Sequence, residues 1–142
     1  MKKLTIAVSL ATTVLLAAIC NAAPAKTDTD TIDAAYSACI DKSGGVTIDM
    51  NNCSGTAISK MDKRLNQLYK TLMGKLPKAK QDLLKNSQKK WLAWRTAEQD
   101  LSYALDPNEG GSLQTVSANG FAYDILKRRV REFEGYLAGL EL

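Results

Sequence analysis

The chain of 142 residues contains no histidine, only three cysteines and only three prolines. The absence of histidine excludes a Ser-His or Cys-His catalytic pair and the imidazole ligands of common zinc sites. The sequence also lacks a Gly-x-Ser-x-Gly motif and a glycine-rich phosphate loop. Glu98, Asp100 and Glu109 have the spacing of ordinary surface residues and form no recognisable glycosidase pair. We therefore expect a protein that is not an enzyme and that binds no metal or cofactor.

A long hydrophobic run stands at the amino terminus, where two lysines precede apolar residues 4–19 and small residues follow up to Ala25. A short apolar run with these flanks is typical of a secretory signal peptide and not of a membrane-spanning helix. We assign residues 1–22 to the signal peptide, with cleavage after Ala22; cleavage after Ala25 is the alternative. The protein is then expected in the periplasm or outside the cell.

A lipid anchor on Cys20 is a further alternative for this leader. It is disfavoured because the bulky Ile19 stands where a lipidated leader has a small residue. We expect no stable membrane insertion once the leader is removed. Loss of the two leader lysines lowers the net charge from +4 to +2, and the remaining basic residues are interspersed with acids. This pattern does not support nucleic-acid binding.

Cys39 and Cys53 are the only cysteines outside the leader. Because secretion brings them into an oxidising compartment, we predict a structural disulfide between them. Their spacing differs from the Cys-x-x-Cys of redox sites, and the chain has no histidine to complete a soft metal site.

The hydrophobic pattern predicts an all-α protein, a small antiparallel bundle of about four helices stapled by this disulfide. Residues 23–29 are assigned to a flexible lead-in and residues 30–142 to one helical domain. Asp30 or Thr31 is expected to cap the first helix, which ends at Gly44-Gly45.

The second helix is expected to begin with Thr47 as its cap and to stop at Gly74 and Pro77. It carries one apolar stripe at steps of three and four residues, made of Met50, Cys53, Ala57, Met61, Leu65, Leu68, Leu72 and Leu76. After a short turn, the third helix should return antiparallel from about Lys78 to Ala104.

The fourth helix should follow a loop over Asp106–Ser112, with Ser112 as its cap. Its apolar residues are Leu113, Val116, Phe121, Ile125, Leu126, Val130, Phe133 and Leu137. Its outer, solvated side is expected to carry Lys127, Arg128, Arg129 and Arg131. We interpret these basic residues as the polar face of an amphipathic helix and not as a membrane-binding surface.

The third helix carries two stripes. One face combines Gln88, Trp91, Arg95 and Glu98, and a second combines Leu83, Trp94, Ala97 and Leu101, so both sides are expected to be covered by neighbouring helices. Because an unpaired charge in the core is costly, Arg95 should meet Glu98 or the amides of Asn66 and Gln88. We favour this structural interpretation. The alternative is a ligand pocket in which Arg95, beside Trp91, binds a carboxylate.

Five motifs occur in a specific order, namely Tyr36-x-x-Cys39, Cys53, Asp62-x-x-Leu65-Asn66-x-x-Tyr69, Gln88-x-x-Trp91-x-x-x-Arg95 and Gly110-Gly111-Ser112. In this order they resemble the family of small secreted bacterial domains named after the lysozyme inhibitor LprI, which includes YecT-like proteins. The resemblance covers roughly residues 36–137. It implies a helical, disulfide-stapled module that binds a protein partner, lysozyme or another cell-wall hydrolase.

The expected function is therefore a secreted protein-binding inhibitor of lysozyme or a related cell-wall hydrolase. The alternative is a non-inhibitory envelope binding module, or an immunity protein against a secreted effector. For an inhibitor, the candidate partner-binding loop is Asp106, Glu109, Gly110 and Gly111, because its acids can meet a basic cleft rim and its glycines allow close backbone approach. The alternative is that this segment is an ordinary connection between two helices. The competing surface is the Gly44-Gly45 turn.

Overall fold

The computed structural model describes residues 27–140, so the predicted signal peptide, Cys20 and most of the predicted lead-in lie outside the described residues. Within this range the prediction of an all-α bundle is confirmed, and a disulfide joins Cys39 to Cys53. The four helices are α1 (Asp28–Lys42), α2 (Thr47–Lys75), α3 (Lys78–Ala104) and α4 (Ser112–Leu140).

The core is built on α2 and α4, which run parallel to one another. Asn119 donates to Asn51 at 3.0 Å and Arg64 to Glu134 at 3.1 Å, so the two helices keep nearly the same register along their length. The predicted stripe of α2 supplies buried Ala57, Met61, Leu65, Leu68 and Leu72, and α4 supplies buried Tyr123, Leu126, Val130 and Phe133. Because α1 and α3 run opposite to this pair and do not contact each other in the described part, they flank it.

The first helix begins earlier than predicted. Thr27, and not Asp30 or Thr31, is the N-cap, and it forms a capping box in which its side chain accepts from the Asp30 amide while the Asp30 carboxylate accepts from the Thr27 amide. Thr29 is fully buried and donates to Glu134 at 2.6 Å. The segment assigned to the lead-in therefore overlaps the helical domain at residues 27–29.

Two other caps also differ from the prediction. Thr47 is the first helical residue of α2, and the N-cap is Val46, which makes no side-chain cap. Ser112 is likewise the first residue of α4. The turn between α1 and α2 is as expected, since Gly44 and Gly45 adopt positive φ angles of 56° and 83°.

Acidic residues of α1 fasten it to basic residues of the other helices. Arg131 of α4 binds Asp30, and Lys127 binds Asp33 at 2.7 Å, where the Tyr123 hydroxyl also donates at 2.9 Å. The hydrogen bond from Arg131, helped by Thr27, lowers the pKa of Asp30 to about 2. The hydrogen bond from Lys127 lowers the pKa of Asp33 as well.

These ion pairs predict acid sensitivity. A carboxylate whose pKa is lower in the folded state stabilises the fold above its unfolded pKa of about 4, and this contribution is lost as the pH falls toward the folded pKa. The free energy of unfolding should therefore decrease between about pH 4 and pH 2. Urea denaturation at a series of pH values measures how the free energy of unfolding depends on pH. The double variant Asp30→Asn/Asp33→Asn should lose less stability over this pH range. The control Asp41→Asn, whose carboxylate makes no ion pair in the described range, should behave like the wild type. The same pH dependence in the wild type and both variants would contradict the assignment.

The third helix is covered on one side only, so the prediction that both of its stripes are covered is wrong. Leu84 is its one buried residue. On the second stripe Leu83 is 69% exposed, Trp94 46% and Leu101 53%. The reason is that α3 packs chiefly against α4 and makes only a few close contacts with α2.

Candidate functional site

The buried arginine of the bundle is Arg129 of α4, which is 5% exposed. It was expected on the outer side of the helix, and that prediction is wrong. Its guanidinium donates to Gln88 and Ser87 of α3, both at 3.1 Å, and to Glu132 at 2.7 Å. It also lies 4.5 Å from the centre of the Phe133 ring. Arg129 thus attaches α3 to α4.

A signal for this burial was present in the sequence. Position 129 follows Leu126 by three residues and precedes Phe133 by four, so it falls within the apolar stripe of α4. The neighbouring Arg128 is exposed. Because four of the five residues 127–131 are basic, the apolar periodicity of α4 is hard to recognise here.

Within the described residues Arg95 makes no hydrogen bond or ion pair with Asn66, Gln88 or Glu98. Asn66 is exposed and donates to the backbone oxygen of Asp62 at 2.9 Å and to its carboxylate at 3.0 Å. The Gln88 amide accepts from Arg129 at 3.1 Å. Within the described residues Glu98 makes no ion pair with Arg95. Of the predicted set, Trp91 and Arg95 are in direct contact, with the guanidinium carbon 5.2 Å from the ring centre.

Arg95 instead lines a cleft between α2 and α3. The cleft has a volume of about 370 Å³ and also receives Asn66 and Gln88. The Arg95 side chain is half-buried, and its Nε is a buried atom without a hydrogen-bond partner in the part of the chain that the structure describes. Arg95 therefore lines the cleft with polar atoms that make no hydrogen bond in this part of the chain.

The loop between α3 and α4 is held by side-chain hydrogen bonds of its own Asp106 and of Gln114 in α4. The Asp106 carboxylate accepts from the Asn108 amide at 2.7 Å, and this hydrogen bond lowers the pKa of Asp106. Buried Gln114 accepts from the Gly110 amide at 2.9 Å and donates to the Tyr103 carbonyl at 3.0 Å. Gly110 has a φ of 73°, which favours glycine. The exposed Glu109 is thus presented on a fixed backbone.

Both predicted candidate loops lie at the same end of the bundle, because α2 and α4 run parallel in register. We call residues 41–49 and 100–113 the loop end. It contains five acidic residues and a single basic one, Lys42. It also carries large apolar side chains that are about half to three-quarters exposed, namely Val46, Ile48, Leu101, Tyr103, Leu105 and Leu113. Sequence reasoning found the acids of the α3–α4 loop but missed this apolar set.

The part of the chain that the structure describes contains no group of three or more potential metal ligands. No helix in the same range has both the length and the apolar character needed to cross a membrane.

These features define a class of protein: a small, disulfide-linked helical module with an acidic and apolar end. The family model described as lysozyme inhibitor LprI matches residues 39–133, and the chain belongs to this family. The matched range includes both cysteines, the α2–α3 cleft and the α3–α4 loop. No curated protein and no solved structure matches the chain significantly. A family named for inhibition fits a protein that is not an enzyme, and the disulfide fits an extracytoplasmic location.

Proposed function

We propose that this protein is a periplasmic or secreted inhibitor of lysozyme or a related cell-wall hydrolase, and that it binds the enzyme through its loop end. The observation that carries the proposal is the combination of acids and exposed apolar side chains on a braced loop. Each property supplies one requirement of an inhibitory contact.

The first requirement is attraction to a cationic enzyme. The net charge of the chain is positive, +4, so the protein as a whole has no long-range attraction for such a partner. The loop end is locally different, because Thr96 to Leu126 contains no lysine or arginine and includes Asp100, Asp106 and Glu109. This local negative charge steers a cationic surface toward the loop end and fixes its orientation.

The second requirement is apolar burial at low entropic cost. Leu105 is 72% exposed and Ile48 69%, so contact with a partner removes substantial apolar surface from water. The α3–α4 loop is already ordered by Asp106 and Gln114, so little conformational entropy is lost when it binds. Tyr103 beside this ordered loop is half exposed and is the kind of aromatic side chain that dominates binding energy in protein interfaces, and the leucines around it add apolar contact area.

The inhibition itself is steric. Lysozyme works with two carboxylates in a cleft that must admit a polysaccharide. The α3–α4 loop, with Glu109 on its exposed side, covers the rim of this cleft and blocks entry of the substrate. No chemistry by the inhibitor is required, which agrees with the lack of histidine.

The experiment is lysozyme-driven loss of turbidity of a cell-wall suspension, with the double variant Asp100→Asn/Glu109→Gln. Both side chains are exposed, and Asp106 is kept because it holds the loop. We expect the inhibition constant to rise roughly tenfold at low salt, about 1.4 kcal/mol, and less at high salt where charges are screened. The control Asp62→Asn/Asp124→Asn loses the same charge away from the loop end and should inhibit like the wild type.

Two results would contradict the proposal. Full inhibition by the loop-end variant would remove this surface from the mechanism. Failure of the folded wild-type protein to inhibit any of several lysozyme classes would favour a non-inhibitory envelope module, such as an immunity protein.

A further inference from the structure

The cleft between α2 and α3 is a concave site that the proposed inhibitory surface does not use. It lies between two helices that approach each other closely at only a few positions. Its volume of about 370 Å³ is within the usual range of small-molecule sites. Its walls combine the apolar Leu65 and Leu92 with polar and charged groups.

The cleft carries an excess of positive charge. Lys85, Lys89 and Arg95 line it, and Asp62 is its one acid. The Asp62 carboxylate already accepts a hydrogen bond from Asn66 at 3.0 Å. Lys85 lies 3.6 Å from Asp82, a contact between two exposed side chains that contributes little.

Next to the cleft, two guanidinium groups lie against the ring of Trp91. The Arg95 guanidinium carbon is 5.2 Å and that of Arg129 5.6 Å from the ring centre. The charge of Arg129 is balanced by the Glu132 carboxylate, which lies 2.7 Å from the guanidinium. Arg95 has no such carboxylate, and among the described residues it makes no hydrogen bond or ion pair. Its guanidinium lies against Trp91 with Nε buried, and its two terminal amino groups make no hydrogen bond within the described residues.

We propose that this cleft binds the carboxylate of a small ligand that has an apolar body, such as the free C-terminal carboxylate of a short peptide. Arg95 supplies the planar fork that matches a carboxylate with two parallel hydrogen bonds. Lys89 adds charge, and Leu65 and Leu92 contact the apolar body. A phosphate lacks the apolar body that these walls fit, so it is expected to bind more weakly.

The inference is independent of lysozyme inhibition. Arg95 lies in the middle of α3, whereas the inhibitory surface is the loop end at residues 41–49 and 100–113. A ligand in the cleft can therefore be tested without lysozyme.

The test is an NMR titration of the purified protein with N-acetyl-alanyl-alanine, in which the two tryptophan indole signals are followed. Trp91 lies against Arg95, whereas Trp94 is 46% exposed, belongs to the second stripe of α3 and does not line the cleft, so it serves as an internal control. We expect a saturable shift of the Trp91 signal and little change at Trp94. The C-terminal amide of the same dipeptide and inorganic phosphate should each bind at least tenfold more weakly.

Variants locate the effect. Arg95→Gln should weaken binding at least tenfold, and Arg95→Lys, which keeps the charge but loses the fork, several-fold. Lys89→Gln changes an exposed residue, so it should fold normally and weaken binding about threefold. Arg128→Gln removes an equal charge from the exposed side of α4 and should bind like the wild type.

The proposal is overturned if no saturable shift occurs, if the amide binds as well as the carboxylate, or if phosphate binds more tightly. Unchanged affinity in Arg95→Gln would also overturn it. If that variant does not fold, unchanged affinity in Lys89→Gln decides against the site.

Discussion

Replacing Arg129 with alanine should lower the free energy of unfolding by about 3 kcal/mol and loosen α3 from the bundle. Three hydrogen bonds from the guanidinium, to Gln88, Ser87 and Glu132, are lost together. The contact between the guanidinium and the Phe133 ring, at 4.5 Å from the ring centre, is lost as well. Because Leu84 is the only buried residue of α3, few other contacts can hold the helix in place. Chemical denaturation monitored by circular dichroism measures the loss.

The controls for this prediction are two other arginines. Arg95→Ala should lower the free energy of unfolding by less than about 1 kcal/mol, since Arg95 makes no hydrogen bond in the described residues. Arg128→Ala, on the exposed side of α4, should be close to neutral. A large loss for Arg95→Ala together with a small one for Arg129→Ala would show that the stabilising arginine had been assigned wrongly.

Removing the disulfide with Cys39→Ser/Cys53→Ser should also lower the free energy of unfolding by about 3 kcal/mol, while the helical fold is retained. The bridge closes a loop with a sequence separation of 14, which restricts the unfolded chain. In the folded state α1 has other attachments to the bundle. Tyr36 shares a hydrogen bond with Ser54 at 3.0 Å, and its ring packs 4.4 Å from that of Tyr123.

Chemical reduction of the wild-type protein provides the matched control. If the bridge itself stabilises the fold, the reduced wild type and the double serine variant should unfold at nearly the same denaturant concentration, below that of the oxidised protein. Equal midpoints for oxidised and reduced wild type would contradict this account.

The regular part of the fold was predictable from the sequence because helical periodicity reports directly on burial. The stripe of α2 that includes Met61, Leu65 and Leu72 follows three- and four-residue steps, and the structure buries all three. The limits of α3 at Lys78 and Ala104 also agree, since Pro77 precedes the helix and a Pro- and Gly-containing loop follows it.

Helix caps were less predictable, because several neighbouring residues offer similar side chains. Thr27, Asp30 and Thr31 all have side chains that can cap a helix. Thr27 is the N-cap because it exchanges hydrogen bonds with Asp30. Arg131, which is distant in sequence, also donates to the Thr27 hydroxyl at 3.1 Å. A local pattern does not contain that tertiary contact.

The candidate site was predicted only in part. The sequence shows that Trp91 and Arg95 share a face of α3, but it does not show how far α2 lies from that face. Because α3 diverges from α2 and packs on α4, Gln88 binds Arg129 and Arg95 is left facing an open cleft. The exposed apolar side chains of the loop end were missed for the same reason. Leu101 and Leu105 are apolar enough for a core, and only the placement of α3 leaves them in water.

The most direct test of the central claim is hydrogen–deuterium exchange of the protein with and without an equimolar cationic lysozyme. If the loop end forms the contact, backbone amides in residues 43–49 and 100–113 should exchange more slowly in the complex, while peptides from the middle of α1 and from the α2–α3 cleft should be unchanged. Protection confined to the cleft or to α1, or the absence of any complex, would contradict the account.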